Sequence, residues 1–336
     1  MAKRKLSRQQ AWRVNKVQQE RIDRAGRRDS DYEQRLESGE LGPERNGLVM
    51  AHYGVQVDIE SDSGEVHRCH LRANVDNLVT GDRVAWRAGS PTGVVEARLD
   101  RRSLLTRPNT SGVVKPVAAN IDQIVIVIAP KPEPHNQLID RYLVAASATK
   151  IKPVLLLNKI DLLPGDGDSP LEKRLQIYSE LGYQLIRAST TTSAGLIELS
   201  EALADRISVF VGQSGVGKSS LINVLLPDVE QAVGALSAAR DKGVHTTTTA
   251  KLFHFPGGGD LIDSPGIREF GLWHMDRDSV AEGFVEFLPH LGYCRFRDCK
   301  HERDPGCALM AAVESGEIST QRMDSYRHII SSLTSP

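Results

Sequence analysis

The sequence has no long hydrophobic run and few cysteines. No apolar stretch approaches the ~18 residues that a membrane-spanning helix needs, and no apolar core of a secretory signal follows the basic start. Four cysteines among 336 residues, three of them clustered near the end, are a poor layout for disulfide bonds. These absences favour a cytoplasmic protein without membrane contact, whose clustered cysteines have another purpose.

The formal net charge of −1 conceals a basic N-terminal arm. The first 28 residues contain ten Lys and Arg side chains and only two acidic ones, a local charge of about +8. Such an arm is either a solvated tail or a segment that binds a polyanion such as RNA, and the charge alone does not decide between them.

The hydropathy pattern changes along the chain, and its length predicts two or three domains. Five short alternating runs between residues 47 and 97 predict a small antiparallel barrel. Residues 106–120, rich in turn formers, predict a linker. Beyond residue 123, aliphatic runs alternate with helical patterns and predict a doubly wound α/β domain. We therefore expect an arm over 1–45, a barrel over 46–105, an α/β domain over 106–276 and a helical metal-binding domain over 277–336.

Residues 212–219 match the phosphate-loop pattern G-x-x-x-x-G-K-[ST] between a predicted strand and a predicted helix. The glycines permit a tight turn that aims backbone N–H groups at phosphate oxygens, and the helix N-terminus adds partial positive charge. Lys218 would contact the β- and γ-phosphates, and Ser219 would bind Mg²⁺. A glycine-rich turn with a chance lysine is the alternative, but its place between strand and helix favours a phosphate loop.

Residues 158–161, Asn-Lys-Ile-Asp, follow another predicted strand and indicate base recognition. The Asp161 carboxylate can accept from both N1–H and the 2-amino group of guanine, whereas adenine offers neither donor. Asn158 would hold the base edge, and the Lys159 stem would lie on the ring. The backbone at Ser189 could contact the guanine O6, although residues 193–194 compete for that role.

Two further segments predict nucleotide-dependent switches. Asp263 and Gly266 belong to an Asp-Ser-Pro-Gly segment after a predicted strand, placed to reach Mg²⁺ through water and the γ-phosphate. Threonines 246–249 form a hydroxyl-rich loop; which of them binds Mg²⁺ stays open, and Thr247 is the catalytic candidate. Ile267 stands where many GTPases have a glutamine, so we expect slow intrinsic hydrolysis. His245 is then the candidate that positions the attacking water.

A cluster of three cysteines and one histidine near the end predicts a structural metal site. Three thiolates and an imidazole within fourteen residues suit one tetrahedral Zn²⁺ without an open position. The intervening residues are too polar for the cysteines to be ordinary core thiols. The ligands are Cys294, Cys299, His301 and Cys307.

The base segment precedes the phosphate loop, the reverse of the usual GTPase order. With this order, the barrel pattern and the cysteine cluster, the sequence resembles the bacterial family of circularly permuted GTPases that depend on the small ribosomal subunit. Val244, where a basic residue is expected, is a minor departure. The resemblance implies an OB-type barrel, a permuted phosphate-loop GTPase domain and a C-terminal zinc domain, and GTP hydrolysis stimulated by the 30S subunit late in its maturation.

The predicted architecture is therefore an α/β circularly permuted phosphate-loop GTPase domain flanked by an N-terminal OB-type β-barrel and a C-terminal helical zinc-binding domain. We expect a monomer that binds GTP or GDP with Mg²⁺, the 30S subunit and its 16S rRNA, and other assembly factors. The predicted catalytic residues are His245, Lys218 and Thr247, and the predicted nucleotide site comprises Asn158, Lys159, Ile160, Asp161, Ser189, Gly212, Gln213, Ser214, Gly215, Val216, Gly217, Lys218, Ser219, Ser220, Asp263 and Gly266.

Two other functions are compatible with parts of the pattern. A nucleotide-gated RNA-binding scaffold with incidental hydrolysis would also carry a phosphate loop without the usual glutamine. A small-molecule kinase would use the same loop, but Asp161 argues for guanine over adenine.

Overall fold

The structure is a computed structural model that describes residues 16, 30–108, 113–135, 137–164, 169–227, 250–264, 275–302 and 304–334. His245, Thr247, Gly266 and Ile267 lie outside these residues. The chain divides into two compact units, the first ending at Arg101 and the second beginning at Arg102. Within the described residues, no helix combines the length and apolar character needed to cross a membrane.

The first unit is built around a closed five-stranded barrel. Its strands pair in a ring, β1-β2-β3-β5-β4 and back to β1, so that each strand has two neighbours. All pairs are antiparallel except β3 with β5, which are parallel. The expectation of a purely antiparallel barrel is wrong at this pair, because a period-two pattern shows which side chains are buried and not the direction of the neighbouring strand. The strands are β1 Leu41–His52, β2 Gln56–Ser61, β3 Val66–Leu71, β4 Arg83–Gly89 and β5 Gly93–Arg98.

A short helix, α1 (residues 30–37), packs against this barrel. The buried Tyr32 donates its hydroxyl hydrogen to the Glu96 carboxylate, which also accepts from Arg87 Nε at 2.6 Å. Arg35 donates to the carbonyl of Thr92 at 2.6 Å. The helix and the start of β1 lie within residues 1–45, which the sequence analysis assigned to the basic arm. This segment contains too few apolar residues to predict a packed helix.

The second unit contains a six-stranded sheet in the order β10-β9-β8-β11-β13-β12. Five strands are parallel, as the unbroken aliphatic runs predict, and the inner strands β8 and β11 are buried along their whole length. Strand β12 is antiparallel to β13 and was not predicted, because only one of its four residues, Leu252, is buried. The strands are β8 Gln123–Ile128, β9 Lys152–Leu157, β10 Leu185–Arg187, β11 Ile207–Val211, β12 Lys251–His254 and β13 Asp260–Asp263.

Among the described residues, four α-helices accompany this sheet. Three of them connect neighbouring parallel strands along the chain and the fourth follows β11, as expected for a doubly wound domain. They are α2 Leu138–Thr149, α3 Pro170–Glu180, α4 Leu196–Leu203 and α5 Lys218–Leu225.

The predicted linker over residues 106–120 is wrong for most of its length. β6 (Leu104–Pro108) and β7 (Val114–Ala119) form an antiparallel ribbon. Pro116 lies opposite Thr106, next to a shift in the strand register, a position where proline is tolerated. Turn-forming residues therefore marked a hairpin here, and not a flexible connection.

The end of the chain is helical, as predicted. Its buried aromatic side chains, Phe284, Phe287 and Tyr326, pack edge to face or stacked with ring centroids 4.8 to 5.9 Å apart. Val144 of α2 belongs to the same hydrophobic cluster, so this C-terminal region packs on the α/β sheet through α2. The elements are α6 Arg277–Glu282, a 3-10 helix Val285–His290, α7 Ala308–Ser315 and α8 Thr320–Thr334.

Candidate functional site

The predicted nucleotide residues that the structure describes, all of the predicted set except Gly266, lie at one edge of the six-stranded sheet. Gly212 follows β11, Asn158 follows β9, and Asp263 ends β13. These strands are parallel, so their carboxyl ends meet at the same edge, where open α/β sheets bind ligands. The parallel sheet therefore gathers segments that are distant in the sequence.

The loop between β11 and α5 has the backbone of a phosphate loop. Gly217, the residue before α5, has φ of +97°, in the left-handed region that glycine tolerates best. The Lys218 ammonium donates to the carbonyl oxygens of Gly212 at 2.6 Å and Gln213 at 2.7 Å, which holds it over the loop. A cavity of about 440 Å³ is lined by Lys159, Gly212, Ser214, Gly215, Gly217, Lys218, Ser219 and Ser220.

The base-recognition segment touches this loop directly. The buried Asn158 donates from Nδ2 to the carbonyl of Val216 at 2.9 Å, and Lys159 Nζ donates to the carbonyl of Gly215 at 2.5 Å. A Cβ atom at Gly217 would collide with the Asn158 amide, so only glycine allows this close approach. The predicted meeting of two segments more than fifty residues apart in the chain is therefore present in the fold.

Ser189 and Asp161 form a hydrogen-bonded pair beside the base segment. Ser189 Oγ donates to Asp161 Oδ1 at 2.5 Å and accepts from the backbone N–H of Thr191 at 3.1 Å. The backbone N–H of Ser189 donates to the carbonyl of Ala194 at 2.9 Å. Ser189 therefore acts on the Asp161 carboxylate through its hydroxyl, while its N–H is engaged within its own loop. The O6 contact predicted for this backbone stays a prediction.

The loop after β8 contributes contacts that the sequence analysis missed. The carbonyl of Lys131 accepts from Lys159 Nζ at 2.9 Å, and the Pro132 ring lies 3.5 Å from where a Cβ at Gly215 would be. Both contacts join this loop to the phosphate loop and the base segment. The only available signal was the position after a buried strand, because a backbone carbonyl has no sequence signature.

The four predicted metal ligands converge in the C-terminal region. Their ligand atoms all lie within 4.8 Å of one another. His301 Nδ1 is 3.5 Å from Cys294 Sγ, 3.6 Å from Cys299 Sγ and 3.4 Å from Cys307 Sγ. Zn–S bonds of about 2.3 Å and Zn–N bonds of about 2.0 Å at tetrahedral angles give N···S edges of about 3.5 Å. The donor set and its spacing therefore fit a closed tetrahedral metal site.

The surroundings of the cluster favour the uncharged forms of Cys299 and His301. Burial, together with the neighbouring thiols, raises the pKa of the Cys299 thiol to about 12. Burial lowers the pKa of His301, which keeps the imidazole neutral and able to act as a ligand. Three neighbouring thiolates are unfavourable by themselves, and a divalent cation would remove that penalty.

The sheet and the sequence order of its loops define a circularly permuted GTPase. Strand β11, which carries the phosphate loop, lies between β8 and β13 in the sheet. In the chain, the base segment at 158–161 comes before this loop, which is the reverse of the usual GTPase order. The RsgA GTPase family model matches residues 98–273. The chain belongs to this family and is a GTP hydrolase.

Individual relatives cover nearly the whole chain. The small ribosomal subunit biogenesis GTPase RsgA of Pseudomonas aeruginosa strain PAO1 is 60% identical over 334 residues, which is 99% of this chain and 98% of that protein. The crystal structure of YjeQ from Thermotoga maritima has a TM-score of 0.72 at 33% identity, with 88% of this chain and all of that chain covered. YloQ, described as a circularly permuted GTPase, has a TM-score of 0.69 at 26% identity, with 88% and 97% covered.

Proposed function

We propose that this protein binds the small ribosomal subunit during its maturation and hydrolyses GTP to GDP and phosphate in response to that binding. Two hydrogen bonds carry the nucleotide part of the proposal, from Asn158 to Val216 and from Lys159 to Gly215. They join a guanine-recognition segment to a phosphate loop, so one nucleotide can be held at both ends. The name of the Pseudomonas relative supports the ribosomal partner.

At the base end, Asp161 accepts from the guanine N1–H and 2-amino group. The Ser189 hydroxyl holds Asp161 Oδ1 in place for this contact. Asn158 is fixed by its own bond to the phosphate loop, and the Lys159 stem covers the ring. Because adenine would leave the carboxylate acceptors unpaired, the site selects GTP over ATP.

At the phosphate end, backbone N–H groups of residues 212–217 and the N-terminus of α5 bind the phosphate oxygens. Lys218 moves from its two loop carbonyls to the β- and γ-phosphates. Ser219, and Asp263 through water, would hold Mg²⁺, which would neutralise negative charge on the phosphates when water attacks the γ-phosphorus. His245, Thr247 and Gly266 complete this site in our proposal: His245 positions the water, and Thr247 and Gly266 respond to the γ-phosphate.

Zn²⁺ is the metal that we propose for the Cys294, Cys299, His301 and Cys307 cluster. Its preference for thiolate and imidazole ligands in a tetrahedron supports this choice. A closed shell of four protein ligands leaves no position for a reacting water, so the metal supports the fold. The barrel, the basic arm and this metal domain would contact 16S rRNA in the cytoplasm, with the protein acting as a monomer alongside other assembly factors.

Measurement of GTP turnover with purified 30S and 50S subunits tests the proposal. We expect 30S particles to raise turnover well above the isolated rate and 50S particles to have little effect. Lys218→Ala should abolish the stimulated rate, and His245→Ala should lower it by roughly 10²-fold or more, as for loss of a water-positioning group. Equal turnover with and without 30S particles would contradict the ribosomal part and favour the RNA-binding scaffold.

A further inference from the structure

A buried ion network joins the C-terminal region to the GTPase sheet. Arg322 of α8, whose residue is 2% exposed, binds the Asp140 carboxylate of α2. It also binds Glu286 through two bonds, from Nε at 2.6 Å and from Nη2 at 3.1 Å. Its guanidinium carbon lies 4.4 Å from the centre of the Phe284 ring. Burial of these charges costs desolvation free energy, which the close pairing of the guanidinium with both carboxylates offsets.

Asp140 also connects the two helices next to the nucleotide loops. The Tyr178 hydroxyl of α3 donates to Asp140 Oδ1 at 2.6 Å. Helix α3 follows the base segment along the chain, and α2 follows the loop whose Lys131 carbonyl accepts from Lys159. Asp140 lies in the first turn of α2, a short distance along the chain from the loop that carries Lys131.

We infer that Arg322 is a positioning residue for nucleotide binding. By holding Asp140, it fixes α2 and α3, and through them the loop at Lys131 and the base segment that meet at the phosphate loop. The C-terminal region therefore sets the affinity of the nucleotide site without contacting the nucleotide. This inference rests on the proposed nucleotide site.

A contact that only stabilised the C-terminal region would not need the pairing of Arg322 with Asp140. Glu286 alone already gives Arg322 a bidentate partner within the C-terminal region. The additional pairing with Asp140 extends the network to α2, and the hydrogen bond from the neutral Tyr178 hydroxyl extends it to α3. Contiguous packed and hydrogen-bonded groups of this kind are the route by which distant elements become coupled.

The test is titration of the full-length, metal-loaded protein with GDP and with a non-hydrolysable GTP analogue, both with Mg²⁺. We expect Arg322→Met to weaken both nucleotides by a similar factor, about tenfold, because the base and phosphate-loop contacts are common to both. In turnover assays KM should rise while kcat at saturating GTP stays within about threefold. Metal content should not change.

Three further variants separate positioning from general stability. Tyr178→Phe keeps the ring, removes one bond to Asp140 and should weaken both nucleotides by a smaller factor, which keeps the inference testable if Arg322→Met does not fold. Glu286→Gln leaves the Arg322–Asp140 pair and should bind nucleotide like wild type. Arg327→Met, on the same helix, removes the ion pair with Asp324 and the bond to the Glu302 carbonyl but leaves the Asp140 network intact, so it is the matched control and should also bind like wild type.

The outcomes distinguish this inference from the function on which it rests. If the wild-type protein itself bound neither nucleotide, the proposed site would be wrong. If wild type bound both and the folded Arg322→Met and Tyr178→Phe variants bound them equally well, with only their melting temperatures lowered, Arg322 would be structural and the positioning role would be excluded. Weakening by Glu286→Gln as large as that by Arg322→Met would also exclude it.

Discussion

At the scale of single residues, the proposed base end of the site would depend on one carboxylate, Asp161, held by one hydroxyl, that of Ser189. Ser189 is fully buried and donates to Asp161, whose residue is exposed to solvent. A serine fixed by two backbone N–H groups of its own loop is a rigid donor, so the carboxylate needs little reordering when guanine binds. In the proposed site, the hydroxyl would therefore contribute to specificity without touching the base.

Asp161→Asn is expected to change which base the protein prefers. The amide would present a donor where guanine needs two acceptor contacts, while xanthine offers a carbonyl at that position. Because a hydrogen bond to a charged group contributes about 1.5–3 kcal/mol, we expect GTP affinity to fall by roughly 10- to 100-fold or more and xanthosine triphosphate to gain. Competition binding with both nucleotides measures this.

Ser189→Ala is the matched variant for that experiment. It should weaken GTP by roughly tenfold or less and leave the preference for guanine over xanthine intact, since one hydrogen bond contributes about 1 kcal/mol. If Asp161→Asn showed no preference for xanthine, the proposal that Asp161 contacts the base would be wrong.

At the scale of elements, the metal cluster joins a loop to a helix. Cys307 is the residue before α7, and the first N–H of that helix, from Ala308, lies 3.4 Å from Cys294 Sγ. His301 lies near Tyr326 of α8, with ring centroids 6.4 Å apart. The metal site is thus adjacent to the aromatic cluster that packs the C-terminal helices together.

Cys294→Ala should abolish metal binding and destabilise the C-terminal region. Loss of a ligand from a structural site removes folding free energy, and a loss of about 3 kcal/mol lowers the melting temperature by roughly 6–12 °C in a unit of this size. Metal analysis and thermal unfolding measure the two effects. Cys69→Ala is the control. Because Cys69 lies in the core of the barrel unit, this variant should retain its full metal content. Retention of metal by Cys294→Ala would exclude it as a ligand.

At the scale of the whole molecule, the distribution of charge matters more than its sum. The net charge is −1, yet the first 28 residues carry about +8, and the remainder is correspondingly acidic. Attraction of the whole protein to a polyanion would be weak, so any binding of rRNA through charge must come from localised basic segments.

Removal of residues 1–28 should reduce the salt dependence of 30S binding. Each phosphate contact contributes about −0.7 to −0.9 to the slope of log K against log salt, so loss of several contacts should flatten the slope by several units. Binding measured over a range of KCl concentrations gives this slope for both proteins. An unchanged slope would show that the arm is a solvated tail, and unchanged GDP affinity is the control for an intact nucleotide site.

The sequence by itself was enough to identify the motifs that carry the chemistry. The phosphate loop, the Asn-Lys-Ile-Asp segment and the cysteine cluster are local patterns, because turn geometry and metal coordination require particular residues at fixed short spacing. The buried parallel strands were equally readable, since aliphatic side chains are needed on both faces. These patterns also revealed the permuted order, which is a property of the sequence alone.

Only the tertiary structure decided which distant groups meet. Asn158 contacts Val216, and Arg322 binds Asp140 across 182 positions of the chain. In the sequence, Arg322 is one more charge on a polar helix, and Lys131 contributes a carbonyl that every residue has. Burial and backbone contacts of this kind arise when elements pack, so no local pattern records them. The ribbon at residues 104–119 shows the same limit, because turn-forming residues do not reveal whether the flanking segments pair.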